Sequence, residues 1–194
     1  FDDDYPQMLK EIYAPPICLY IKGNLQLLKM QNISLIGCRK CSQYGKKTAY
    51  YFSYNLSKAG FNIVSGLARG IDSYSHIGCL AAKGKTIAVM GSGLDNIYPK
   101  ENEQLVNEII KQNGAIITQY PLGTKPEKNN FPARNRIISG LSKAVLVIEA
   151  RAKSGTLITV DFALEQGKDV FAVPGNINSA NSVGTNELIK QGAI

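Results

Sequence analysis

One segment of the chain, with the sequence SGLARGID, combines the residue types that hold phosphates. It runs from Ser65 to Asp72. Gly66 and Gly70 allow a sharp turn and a close approach of the backbone to a ligand, and a helix that starts here would offer unpaired N–H groups and the positive end of its dipole. Arg69 would add a charge-assisted contact to a phosphate. We predict an anion site formed by these residues and Ser65, and expect Asp72 to be the N-cap of the helix.

A second basic segment, FPARNRIISG, begins at Phe131. Pro132 suits the first turn of a helix, so Arg134 and Arg136 are expected near the same end as Lys128 of the preceding loop. Residues two apart point in different directions around a helix. We therefore expect one arginine to face the ligand and the other to form an internal salt bridge, and the sequence does not say which is which.

A third candidate anion site lies at Ser154, Gly155 and Thr156. A hydroxyl and a glycine at the start of a helix can hold an anion against its N–H groups. The alternative is plain capping by Ser154 or Thr156, and the sequence favours neither. Aromatic residues that could stack on bases lie in or beside the same loops; they are Tyr44, Tyr98, Tyr120 and Phe131.

The sequence does not indicate a metal centre or a catalytic group. Cys38 and Cys41 form a C-x-x-C pair, but the single histidine, His76, and the remaining cysteines do not complete a zinc site. A thioredoxin-like redox role is disfavoured because no other sign of that fold is present. We expect reduced thiols, a hydrogen-bonded packing role for His76, and neither cofactor nor metal.

The composition favours an anionic partner. The 194 residues carry a net charge of +7 and 44% of them are hydrophobic, enough for a sizeable core. Nucleic acid ranks ahead of an anionic membrane, because no apolar run reaches the roughly 18 residues of a span and no leader-like segment opens the chain. We expect a cytoplasmic protein with no membrane association.

Short apolar runs alternate with amphipathic segments through most of the chain. We predict strands at 33–37, 62–65, 86–90, 115–118, 144–148 and 170–173, and helices at 44–59, 72–82, 100–112, 132–141 and 156–166. Several of the helices are expected to end on a left-handed glycine at Gly60, Gly84, Gly114 or Gly167. This alternation predicts an α/β fold of the extended Rossmann-like, doubly wound kind with a mainly parallel sheet. Residues 1–32 are expected to form a lead-in segment packed on a Rossmann-like binding domain, 33–194.

Several linked motifs resemble those of the DprA/Smf family of DNA-processing proteins, and they cover nearly the whole chain. The matching runs are SGLARGID, FPARNRIISGLS, EARAKSGTLIT, VFAVPG and GTNELIKQGA. The resemblance implies an extended Rossmann fold, binding of single-stranded DNA without strong sequence preference, and a homodimer. It also implies protection of incoming DNA and loading of the RecA recombinase during natural transformation.

Carried over by position, the family's DNA-contacting arginine matches Arg69 and its basic position before FPxRNR matches Lys128. Arg134 and Arg136 match the arginines of that motif. The resemblance places the dimer and RecA surfaces toward the last part of the chain, from Val170 onward.

Rival functions fit the motifs less well. A Rossmann-like nucleotide phosphoribohydrolase would need a PGGxGT loop, whereas here Pro174-Gly175 and Gly155-Thr156 stand apart. A nicotinamide oxidoreductase would need G-x-G-x-x-G after the first strand, where GCRK stands instead. A purely structural interaction protein would leave the cations at the strand ends unexplained. We predict that the chain is not an enzyme, with the hydrolase as the alternative.

Overall fold

The computed structural model of the chain describes residues 2–194. Its strands are β1 (Tyr20–Gly23), β2 (Asn32–Gly37), β3 (Asn62–Ser65), β4 (Thr86–Val89), β5 (Ala115–Thr118), β6 (Ala144–Glu149) and β7 (Asp169–Ala172). Its α-helices are α1 (Gln7–Lys10), α2 (Gln43–Lys58), α3 (Ile71–Ala81), α4 (Glu103–Lys111), α5 (Asn130–Gly140), α6 (Gly155–Glu165) and α7 (Val183–Lys190). Short 3₁₀ turns cover Leu25–Lys29 and Lys100–Asn102.

The seven strands form one sheet in the order β1-β5-β4-β3-β2-β6-β7. All neighbours are parallel except β1, which runs antiparallel to β5. From β2 the chain builds outward in one direction as far as β5, and then returns to the other side of β2 with β6 and β7. The predicted doubly wound, mainly parallel α/β fold is confirmed, and its topological switch point lies between β2 and β6.

The strands are apolar along their length because helices cover both faces of the sheet. Neighbouring residues of one strand therefore enter different cores: Leu35 packs with α2 and α3, whereas Ile36 packs with α5, α6 and the N-terminal segment. A third apolar cluster, which includes Leu67, Val106 and Ile109, fixes α4 beside them. The sheet is packed on both faces, so the loops at its carboxyl edge start and end on well-packed elements.

Two elements differ from the sequence prediction. The edge strand β1 comes from the segment interpreted as a lead-in, and its half-exposed YIKG sequence lacks the apolar run of an inner strand. Helix α7 was not predicted either.

Two of the predicted glycine caps are also wrong. Gly60 and Gly167 are left-handed, with φ of +93° and +65°, but before Gly84 and Gly114 that conformation falls on Lys83 and Asn113. In all four helices the left-handed residue is the second one after the helix ends, and after α3 and α4 that position is held by Lys83 and Asn113, one residue before the glycine.

No helix within residues 2–194 has both the length and the apolar character required to cross a membrane.

Candidate functional site

A pocket of about 690 Å³ opens above the carboxyl ends of β2 and β6. Its walls come from residues 36–40, at the end of β2 and just after it, and from residues between 151 and 159, which follow β6 and begin α6. The first turns of α5 and the loop before them close the third side. The pocket thus lies over the switch point of the sheet, where open α/β sheets bind their ligands.

Positive charge dominates the described part of the pocket wall. Five cationic side chains line it, namely Arg39, Lys40, Lys128, Arg134 and Arg151. Asp72 is the single carboxylate among the described lining residues. A concave surface lined by one sign of charge focuses the field and raises the local concentration of an oppositely charged ligand. The arrangement suits an anion.

Arg134 is fixed at the back of the pocket by backbone acceptors. Only 3% of its surface is exposed. Its Nη1 donates to the carbonyl oxygen of Gly66 at 2.7 Å and also to that of Val89. Burial lowers the pKa of Arg134 to about 10, while Asp72 acts against this shift, so the guanidinium stays charged at neutral pH. Its Nε has no hydrogen-bond partner among residues 2–194.

The loop between β3 and α3 folds around Asp72. The carboxylate accepts from the backbone N–H of Gly66 at 3.1 Å and from that of Ala68 at 3.3 Å. Burial raises the pKa of Asp72, and Arg134 lowers it. A Cβ on Gly66 would lie 2.3 Å from Arg134 Nη1 and 2.7 Å from Asp72 Oδ2. Only glycine fits between these two charged groups.

The N-cap of α3 is Gly70, which corrects the expectation that Asp72 caps this helix. Gly70 has φ +78° and ψ −128°, a conformation open only to glycine. A Cβ here would meet the carbonyl oxygens of Cys38 and Arg39 at 2.4 Å. Asp72 lies inside the helix instead, because the loop turns inward and presents its N–H groups to that carboxylate.

Arg69 points outward from this loop to Glu101. Its Nε lies 2.5 Å and its Nη2 2.7 Å from the two carboxylate oxygens. The hydrogen bonds to Glu101 raise the pKa of Arg69, and Arg69 lowers the pKa of Glu101. Arg69 lines a small hollow that shares Arg39, Arg134 and Phe131 with the main pocket. It therefore stands at the rim, already paired with a carboxylate.

The ring of Phe131 lies near two cations at the pocket wall. The guanidinium carbon of Arg39 lies 5.3 Å from the ring centroid, and that of Arg134 lies 5.9 Å from it. Tyr98 packs against the same ring, with centroids 5.6 Å apart and planes tilted by 44°. Both rings line the pocket. They give it two apolar faces on which a flat ligand group could stack.

The start of α6 is open to the pocket. Ser154 occupies the N-cap position, but its side chain makes no capping hydrogen bond. Its Oγ is buried and has no partner within the described chain. No heavy atom lies within 4 Å of the position where a Cβ on Gly155 would stand. Ser154, Gly155 and Thr156 all line the pocket, so capping by Ser154 is not observed and the helix N-terminus is accessible.

The two arginines of the FPARNR run point in different directions. Arg134 faces the pocket, whereas Arg136 does not line it. Arg136 donates from Nε to the carbonyl oxygen of Ala14 at 2.9 Å and from Nη2 to Gln119 Oε1 at 2.6 Å. The expected internal salt bridge does not form among residues 2–194, because both of these acceptors are neutral. Arg136 instead ties α5 to the N-terminal segment.

The other predicted site residues also fall into two groups, those that line the pocket and those that do not. Lys128 is exposed, lines the pocket and has no hydrogen bond or ion pair to the described residues. Ser65 is fully buried below it and donates to the carbonyl oxygen of Leu35 at 2.6 Å. Of the four aromatic candidates, Tyr44 and Tyr120 lie outside the pocket, and their hydroxyls donate to the carbonyl oxygens of Pro174 and Asn130.

Three cations of the pocket were missed from the sequence: Arg39, Lys40 and Arg151. A signal was present, because each follows the end of a strand at the edge where ligands bind. That β2 and β6 are neighbours could not be read from the sequence alone.

The packing role predicted for His76 is confirmed. His76 is fully buried, its Nδ1 lies 2.7 Å from Thr86 Oγ1, and burial lowers its pKa to about 3. Within residues 2–194, no three histidine, cysteine or acidic side chains lie close enough together to hold a metal ion. Cys38 and Cys41 are free thiols whose pKa values burial raises.

Comparison with known proteins shows which family this chain is similar to. Residues 1–194 match the family model described as DNA recombination-mediator protein A. The chain is 47% identical over 196 residues to Protein Smf of Synechocystis sp., covering 99% of this chain and 49% of that protein. It is 47% identical over 192 residues to DNA processing protein DprA of Streptococcus pneumoniae, covering 99% of this chain and 67% of that protein. The chain thus spans between half and two thirds of the length of these relatives.

Two solved structures share its fold. The X-ray structure of DprA from Streptococcus pneumoniae matches with a TM-score of 0.94 and 46% identity, covering 99% of this chain and 67% of that one. DNA processing protein A from Helicobacter pylori, whose structure is described as giving insight into its single-stranded DNA binding mode, matches with a TM-score of 0.91 and 33% identity. The match covers 100% of this chain and 88% of that one.

Proposed function

Because the chain belongs to the DNA recombination-mediator protein A family, we propose that it binds single-stranded DNA in the pocket above β2 and β6. One observation carries the proposal: five cationic side chains, two aromatic rings and an open helix N-terminus surround a single cavity, with one buried carboxylate among its described residues. The Helicobacter pylori relative, which is described as binding single-stranded DNA, supports the choice of ligand.

Each part of the pocket has a role in this proposal. Lys128 and the start of α6 hold phosphates by charge and by N–H donors. Phe131 and Tyr98 offer faces to unpaired bases, and stacking of this kind tolerates any sequence. A duplex keeps its bases stacked inside, so it cannot place them against these two rings. A single strand is therefore the ligand that uses both the charge and the rings.

The residues below the pocket wall act by shaping it. Ser65, Gly66 and Gly70 hold the loop that positions Asp72 and Arg134, and they need not contact DNA. Arg69 would join the site by exchanging Glu101 for a phosphate. We assign the binding function to residues 33–194, while Arg136 and residues 2–32 support the fold through contacts with α5.

A binding function without catalysis fits the acidic groups near the pocket. Asp72 is engaged by two backbone N–H groups. Glu149 is 1% exposed and accepts from the backbone N–H of Ser42 at 2.9 Å. Neither carboxylate is free to act on a substrate. Incubation with nucleoside monophosphates should release no free base, and release of base would favour a hydrolase.

Lys128→Ala tests the proposal most directly, since Lys128 is exposed and its loss should leave the fold intact. Lys111→Ala is the matched control, because this lysine lies on α4 with its side chain 77% exposed. In fluorescence anisotropy titrations with oligothymidine, Lys128→Ala should weaken binding and reduce the log–log salt slope by about 0.7. Equal affinities and equal slopes for the two variants would refute the site.

The wider role of the family extends the proposal. We assign to the chain protection of incoming DNA, loading of the RecA recombinase and formation of a homodimer in the cytoplasm. The family description as a recombination mediator supports the first two. The exposed apolar side chain of Ile177 (86%), which lies in the segment after β7, supports a protein contact there. Ile177→Asp should shift the mass measured by light scattering toward a monomer and reduce RecA filament formation on DNA coated with a single-strand-binding protein.

A further inference from the structure

A second hollow, of about 530 Å³, lies on the outer side of α2 beside α3. Its lining consists of Gln43, Lys46, Lys47, Tyr50, Tyr51, Tyr54, Asn55 and Tyr74. Four of these residues are tyrosines and two are lysines. We call this surface the α2 aromatic face. None of its residues lines the pocket above β2 and β6.

The spacing of residues along α2 explains why its tyrosines point outward. Gly45, Ala49 and Ser53 recur every four residues and are buried. Gly45 lies against the side chain of Glu149, whereas Ala49 and Ser53 let α3 approach closely: a Cβ on Gly78 would lie 2.6 Å from the carbonyl oxygen of Tyr50. The larger side chains are therefore left on the opposite side of the helix. The outer faces of these tyrosine rings do not pack against the core.

Two of the four rings of this face are exposed, and two of the rings stack on each other. Tyr51 is 63% exposed and Tyr50 is 39% exposed. The rings of Tyr50 and Tyr54 stack with centroids 6.2 Å apart and planes within 17° of each other. A row of flat, accessible rings of this kind can accept unpaired bases, whatever their sequence.

The charge of α2 is of one sign. The helix carries Lys46, Lys47 and Lys58 and contains no aspartate or glutamate. Lys46 Nζ lies 5.5 Å from the ring centroid of Tyr74, and Lys58 Nζ lies 5.9 Å from that of Tyr54. A lysine therefore lies near a ring of this face at each end of the helix. Protein interfaces are depleted in lysine at their centre, so the pattern fits a polyanion with flat bases better than it fits a protein partner.

We infer that the α2 aromatic face is a second contact surface for single-stranded DNA, and that a strand leaving the pocket continues along it. The inference rests on the proposed function, because the strand must first occupy the pocket. The two surfaces adjoin: Lys40 lines the pocket, and Gln43, three residues later, lines the hollow. The 16 residues of α2 extend the path by about 24 Å.

Oligothymidines of two lengths separate this inference from the proposed function. One of about 6 nucleotides can fill the pocket only, and one of about 30 nucleotides can reach along α2 as well. Lys47→Ala combined with Tyr51→Ala should weaken binding of the long oligonucleotide about tenfold, the loss expected when stacking on one ring is removed, and should leave binding of the short one unchanged. Tyr51→Phe should bind both like the unaltered chain, because the ring remains.

A matched control and a direct contact assay complete the test. Tyr13→Ala removes an exposed tyrosine (89%) of the N-terminal segment and should affect neither length. Photocrosslinking of a long oligonucleotide carrying 5-iodouracil should label Tyr50, Tyr51 or Tyr54. If the unaltered chain does not bind the short oligonucleotide, the pocket itself is refuted. If it binds both lengths, but the double variant binds the long one normally and no crosslink forms on α2, the inference is overturned and a protein partner becomes the candidate for this face.

Discussion

The helices α3 and α6 both begin beside a glycine at the same edge of the sheet, yet their first turns have opposite roles. Before α3, Gly70 packs against two carbonyl oxygens, and the N–H of Ile71 donates to Cys38 at 3.2 Å. Before α6, the Ser154 hydroxyl has no partner within residues 2–194 and Gly155 faces open space.

The difference shows that a glycine next to a helix start has two possible meanings. At α3 the glycine is a steric requirement, because the backbone conformation and two neighbouring carbonyl groups exclude any side chain. At α6 it provides access, because the N–H groups behind it remain free for a ligand. A glycine at a helix start predicts that another group comes close to the backbone. The fold determines whether that group belongs to the protein or to a ligand.

Removing Arg134 should have the largest effect on the α3 region. Arg134→Met leaves the Asp72 carboxylate buried without its nearby cation, so we expect the free energy of unfolding to fall by about 3–5 kcal/mol in urea denaturation. Arg136→Met, two residues away, removes only bonds to neutral acceptors and should cost about 1–2 kcal/mol. Equal losses would show that the α3 loop does not depend on the buried charge.

Gly70→Ala and Gly155→Ala test the two helix starts against each other. At Gly70 the new methyl group would collide with two carbonyl oxygens in a conformation that only glycine adopts, and we expect a loss of about 3 kcal/mol or more. At Gly155 it would enter open space, so stability should change by no more than about 0.5 kcal/mol. Thermal melts of both variants decide the point, and similar losses at the two positions would contradict the comparison.

The buried histidine of α3 should make stability depend on pH. His76 has a folded pKa of about 3 against an ordinary value of 6.5, so between these values the unfolded chain binds a proton that the folded chain does not. Stability should therefore rise with pH up to about 6.5 and level off above it, with a slope of at most about 1.4 kcal/mol per pH unit.

The raised pKa of Asp72 makes stability fall as pH rises, which is opposite to the effect of His76. The contribution of His76 is therefore obtained by comparing the unaltered chain with a variant that lacks the histidine. His76→Asn should flatten the slope relative to the unaltered chain in urea denaturation series at several pH values. An unchanged slope would mean that His76 titrates normally in the folded state.

Ser154→Ala should have the smallest effect on stability. Its hydroxyl makes no capping bond, so the free energy of unfolding should stay within about 0.5 kcal/mol, while affinity for oligothymidine should fall about threefold. Ser42→Ala is the matched control: Ser42 caps α2 by accepting from the N–H of Gly45 at 3.0 Å and also donates to the buried carboxylate of Glu149, so its loss should cost at least about 1 kcal/mol. A loss of that size for Ser154→Ala would assign it to capping instead.

The sequence predicts the inner strands and most helices to within a few residues, because their signals are local. Apolar runs mark strands that are covered on both faces, and helices begin and end at glycine, proline and polar caps. The edge strand β1 was not predicted, because its YIKG sequence is only half apolar. Its place beside β5 also depends on a partner about ninety residues away.

The site was predictable where one segment carries it and not where two segments meet. Single motifs indicated Lys128, one of the two arginines Arg134 and Arg136, and the start of α6, but they did not decide which arginine faces the pocket or whether Ser154 caps the helix. The pairing of Arg69 with Glu101 and the direction of Arg136 toward Ala14 depend on contacts across 32 and 122 residues. No local pattern in the sequence specifies such contacts.

The two carbonyl oxygens that hold Arg134 also bear on the thermodynamics of binding. A flexible cation that first becomes ordered against a ligand loses about 0.5–1.5 kcal/mol of rotamer freedom on association. Arg134 has already lost that freedom when the chain folds, whereas the exposed Lys128 has not. Of these two side chains, Lys128 should therefore lose more rotamer entropy on binding, and the guanidinium of Arg134 is already oriented before a ligand arrives.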